Sequence, residues 1–126
     1  MTGRHRSRYQ PTVAERAHDL TQKLGACEQL LDRARIFGEF GQGVSLFAAG
    51  HRERLEAEVE ALAADVFASV LERVLLDGRS KAGIREDARK LARQHIDRAG
   101  GDGGILIGLV RDLADAHTAA RALDDV

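Results

Sequence analysis

The side chains that could do chemistry are few and scattered. Five histidines, His5, His18, His51, His95 and His117, are present, and no two stand four residues apart. That spacing would set a pair on one helical face to hold a metal, as in an HExxH zinc site. Asp112, Asp115 and His117 are close in sequence, but Asp112 and His117 fall roughly 140° apart around a helix and do not converge. His95 lies on an apolar stripe, where an imidazole is more often a core or boundary residue than a general base. The single cysteine, Cys27, excludes an internal disulfide and reads as a small buried hydrophobe. The glycine-rich stretch from Gly38 to Gly50 invites comparison with a phosphate loop. It has neither the Lys-Ser or Lys-Thr pair nor the GxGxxG spacing, and no strand pattern precedes it. The expectation is a protein with no catalytic residues, no metal site and no cofactor.

The elements that position these residues are helical. A chain of 126 residues with 44% hydrophobic and 31% charged residues, one proline and no tryptophan has the composition of one folded domain. Its apolar residues are mainly Ala, Leu and Val, and the first two are strong helix formers. Thr12-Val13-Ala14-Glu15 has the form of a capping box. From there Val13, Ala17, Leu20, Leu24, Cys27, Leu31 and Ala34 recur in alternating steps of four and three, a seven-residue repeat. Gly78, Gly100 and the run to Gly104 then punctuate three further segments. The reading is all-α: a single-domain four-helix bundle over residues 11–126, preceded by a short basic arm over residues 1–10. The helices are expected at about 12–37, 51–77, 82–99 and 105–123. Residues 38–50 are expected to form a loop, or a loop with a short helical turn after Ser45, and residues 100–104 a flexible connector.

Two classes of partner follow from the same pattern. The seam of Leu20, Leu24 and Leu31 either packs within its own bundle or is shared with a second subunit. Ile105, Leu106 and Ile107 point in three directions around a helix, so one internal face does not cover them all, and some of them are candidates for a partner. The leading functional expectation is a non-enzymatic interaction or adaptor protein that binds another protein, a copy of itself included. The alternative is nucleic-acid binding. Net charge is −1, but Arg4, Arg6 and Arg8 lie in an arm without an acid, and residues 79–98 hold seven bases against three acids. Arg85, Arg89 and Arg93 recur every four residues as a ridge suited to phosphates. Against this, residues 51–77 carry seven acids and three bases, enough to neutralise the basic helix if the two are neighbours. No secretory h-region follows the arginines of the arm and no apolar run approaches the roughly 20 residues of a spanning helix, so a cytoplasmic protein without membrane contact is expected.

Overall fold

The computed structural model describes residues 10–74, 78 and 80–125, the side chains of Glu39 and Phe40 excepted. The described residues form an all-α four-helix bundle: α1 (Val13–Ile36), α2 (Glu39–Val74), α3 (Lys81–Ala99) and α4 (Gly103–Ala122), ending in a 3-10 turn at Leu123–Asp125. The arm that carries Arg4, Arg6 and Arg8 lies outside the described residues.

Local chemistry sets the starts of α1, α3 and α4. The Thr12 hydroxyl accepts from the Glu15 N–H and the Glu15 carboxylate accepts from the Thr12 N–H, both at 3.1 Å, which satisfies two backbone donors at the head of α1. Ser80 and Asp102 cap α3 and α4 in the same sense, accepting from the N–H groups of Gly83 and Ile105 at 3.1 and 3.0 Å.

The second helix departs from the sequence expectation. It begins at Glu39, not near His51, so the glycine-rich stretch is its first three turns and not a loop. Gly38, at φ 58°, is the left-handed residue that ends α1, and only Phe37 and Gly38 separate the two helices. Gly41 then sits so near α1 that a Cβ there would collide with the backbone carbonyl of Ala34. Two turns further along α2, buried Ala48 lies against Cys27, whose thiol donates to the Ala48 carbonyl at 3.1 Å. Gly41, Ala48, Leu55 and Leu62 are seven residues apart and all buried. The heptad face of the long helix therefore extends upstream through its glycines.

Residues 100–104 also differ from the expected flexible connector. Gly100 caps α3 in the left-handed conformation, Gly101 also has positive φ, and Gly103 and Gly104 already belong to α4. The link is a tight turn, and Gly103 is buried where a Cβ would strike the Glu28 side chain.

Within the bundle α2 touches all three other helices, α1 and α3 do not meet, and α3 meets α4 only sparsely. Leu24, Val59, Leu62, Val66, Leu106 and Val110 form the centre of the core. Burying a Leu- or Val-sized side chain contributes about 1.5–3 kcal/mol, and these residues come from α1, α2 and α4. At the far end Arg73 donates through Nε and Nη2 to the two carboxylate oxygens of Asp124, each at 2.9 Å, and so ties the final turn to the end of α2. Among the described residues no helix is long and apolar enough to cross a membrane.

Candidate interaction surfaces

The expected seam of α1 lies inside the monomer. Leu24 has no exposed surface and Leu20 is buried with it, while Leu31 is partly buried against the same core. Leu20 and Leu24 are thereby corrected from interface candidates to core residues, because α2 and α4 already cover that face. The three apolar residues that open α4 do point in three directions. Leu106 is fully buried, Ile107 packs partly against the core, and Ile105 is 53% exposed.

Ile105 borders an open groove of about 470 Å³ left where α3 and α4 diverge. Phe67 of α2 forms its floor, with the His95 ring 5.3 Å away and tilted against it. His95 is thus a boundary residue against an aromatic neighbour. Arg98 and Asp112 stand among the other residues that line this groove.

The basic ridge of α3 is exposed, and acidic neighbours counter it. Arg93 donates to Glu60 of α2 at 2.8 Å and approaches Asp97 at 3.7 Å, and Arg89 reaches Glu86 at 3.4 Å. The Glu60 carboxylate, accepting this hydrogen bond, pushes the Arg93 pKa further up. Arg85 lines a shallow cleft that also contains Asp65 and Glu72. Exposed ion pairs of this kind contribute little to stability, but they hold guanidiniums in place and offset their charge.

A different surface holds most of the large exposed hydrophobic side chains among the described residues. Glu28, paired with Arg52 at 3.3 Å and packed by Gly103, marks the level at which α4 begins. Beyond it the last two turns of α1 and the first two and a half of α2 project by roughly 12 Å. Here Ile36 is 81% exposed, Leu46 76%, Phe47 65% and Phe37 63%, with Leu30 and Val44 near 40%. Phe47 stacks on His51, four residues along the same face, at 6.5 Å between ring centroids. Leu46, Gln42 and Ser45 of α2 face Ala34 and Arg35 of α1 across a cleft of about 410 Å³ on another side of the hairpin. Sequence reasoning missed this surface because four glycines masked the helix that presents it. The heptad from Gly41 to Leu62 was the signal that could have found it.

Among the described residues no three His, Cys, Asp or Glu side chains gather as metal donors. Cys27 is enclosed, and burial raises its thiol pKa, with a smaller opposing effect from Arg52. Comparison with protein-family models, with curated proteins and with solved structures finds no match to this chain.

Proposed function

We propose that this is a non-enzymatic helical interaction protein that binds another protein through the exposed tip of the α1–α2 hairpin. The observation that carries the reading is the concentration of six large exposed apolar side chains between residues 30 and 47, against four elsewhere among the described residues. Scattered single hydrophobics are ordinary on a protein surface, whereas a cluster of this kind marks an interaction site. The close approach at Gly41 holds the two helices together before any partner arrives, which lowers the ordering cost of binding. A cytoplasmic setting belongs to the same proposal, since a lone buried thiol suits a reducing compartment.

Site-specific photo-crosslinking tests it. A photoreactive side chain at Leu46 should capture a protein, and the same group at exposed Ala26 on the bundle body should not. Equal capture at both positions, or none at Leu46, would overturn the assignment.

Nucleic-acid binding is the second reading, favoured by one observation: Arg85 makes no ion pair with the described residues, and it stands on the same exposed ridge as Arg89 and Arg93. If phosphates bind there, affinity should fall with salt at a slope of roughly 0.9 per contact on duplex DNA, and Arg85→Gln with Arg89→Gln and Arg93→Gln should flatten it. No mobility shift at about 50 mM salt, where screening is weak, would remove this reading.

A further inference from the structure

We infer that the partner of the tip is a second copy of this chain: two hairpins lie side by side and antiparallel, so that four helices meet where each chain alone supplies two. The inference rests on the protein-binding reading above and names its partner. Three observations carry it.

The first is charge. The α2 side of the tip, from Phe40 to Gly50, has no charged residue over three turns, while the α1 side carries one acid and two bases, Asp32, Arg33 and Arg35, with Asp32 and Arg35 paired at 3.6 Å. A uniformly acidic or basic partner gains no electrostatic complement from the α2 side and meets charges of both signs on the α1 side, whereas an equally uncharged helix face loses nothing by covering α2. A twofold pair brings identical patches together and meets that condition automatically.

The second is architecture. Along its body this chain solves the burial of the α1–α2 layer by laying α3 and α4 over it. At the tip the same two helices continue and their covering helices stop. A second hairpin restores the four-helix cross-section with the same kinds of contacts, and helix bundles are the usual solution for such faces. Gly43 and Gly50 leave open space above α2, since a Cβ at either would meet nothing within 4 Å, so another helix can approach closely there.

The third is area. Ile36, Phe37, Leu46 and Phe47 are each more than three-fifths exposed. With aromatic side chains burying 150–250 Å² each, the six tip residues leave on the order of 600 Å² of apolar surface per chain. Spread over more than one side of the hairpin, that total approaches the roughly 800 Å² each partner contributes to a standard interface. The α3–α4 groove offers only Ile105 as a large exposed hydrophobic and falls well short.

Sedimentation velocity on the full chain, from about 1 to 100 µM, tests the pairing. A two-chain species is expected to dominate at the upper end. Leu46→Glu and Phe47→Glu, on neighbouring flanks of α2, should each fold with the parent's helicity and, at concentrations where parent and variant are both monomeric, with the parent's melting temperature, and at least one should weaken pairing by about tenfold or more. A dimer untouched by both variants but dissociated by Ile105→Glu would move the interface to the groove and overturn the inference. A monomer throughout would also overturn it. Two further measurements then separate this failure from failure of the broader reading. Crosslinks from Leu46 to a different protein would leave protein binding standing without self-pairing. Flotation of the monomer with phosphatidylcholine vesicles, abolished by Phe47→Glu, would assign the tip to lipid and overturn both.

Discussion

Below the level of Glu28 four helices share one core, and above it two helices stand alone, although α2 runs through both regions without a break. In the body its Leu55, Val59, Leu62 and Val66 are at most 2% exposed. In the tip Leu46 and Phe47 of the same helix face solvent. The contrast shows that burial follows the number of neighbours and not the residue type. It also shows two ways of sustaining a helix. The body half is held by packing. The tip half contains Gly41, Gly43 and Gly50, each costing about 1 kcal/mol relative to alanine in a helix, and it persists because it extends an existing helix and is clasped against α1 at Gly41 and Ala48.

The largest expected effect sets the two regions directly against each other. Leu24→Ala should lower unfolding free energy by about 2–5 kcal/mol in denaturant titration, since it opens a cavity in a site with no exposure. Leu46→Ala, made under monomeric conditions, should fall within about 0.5 kcal/mol of the parent. Similar losses for both would erase the distinction between body and tip.

Next come the glycines, which should respond with opposite signs within one segment. Gly41→Ala should destabilise by about 1–3 kcal/mol, because its Cβ meets the Ala34 backbone and a backbone must move. Gly43→Ala and Gly50→Ala meet open space and should each stabilise by about 0.5–1 kcal/mol through propensity alone. Three changes of the same sign in thermal melts would contradict the clasp at Gly41.

A smaller effect probes the junction of the two regions. The Cys27 thiol donates into α2, and its pKa is raised by burial, so a thiol reagent at pH 8 should label native protein at least tenfold more slowly than unfolded protein, since only the thiolate reacts. Gly41→Ala should speed that labelling by opening the hairpin above it. Equal rates in native and unfolded protein would mean that the hairpin opens freely.

The smallest effect lies at the far end. Hydrogen bonding from Arg73 holds the Asp124 pKa below its ordinary value. A depressed folded-state pKa contributes stability above the unfolded value, about 3.9, and that contribution is lost as pH falls through the folded value. The Asp124 carboxyl and Arg73 Nε resonances should therefore titrate together below about pH 3.9, while the tip resonances stay unchanged. Titration of Asp124 at or above its ordinary value would show that the tie does not form.

What could be read from the sequence was whatever local chemistry and strong periodicity decide together. The Thr12 capping box, the α1 seam, the Asp102 cap and the acidic–basic pairing of α2 with α3 all have such signals, and Glu60 meeting Arg93 realises the last of them. The glycine segments depart from the expectation because periodicity and packing outweigh intrinsic propensity there. At Gly41 the absent side chain permits close approach of two helices and does not mark a loop, and at Gly103 it leaves room for Glu28. The exposed tip could not be inferred from hydrophobicity, because Leu46 and Leu62 are the same residue type on one helix and differ only in what lies beside them. That depends on where α4 begins relative to α1, which no local pattern encodes.

The unbroken length of α2 also makes the molecule a ruler. Thirty-six residues without a hinge span about 54 Å at 1.5 Å per residue, so the distance from the tip to the Arg73–Asp124 tie is set by residue count. Two copies joined at their tips would hold those ties on the order of 90 Å apart, in a particle far more elongated than its mass suggests. Anything fastened at the two ends would be kept at that separation.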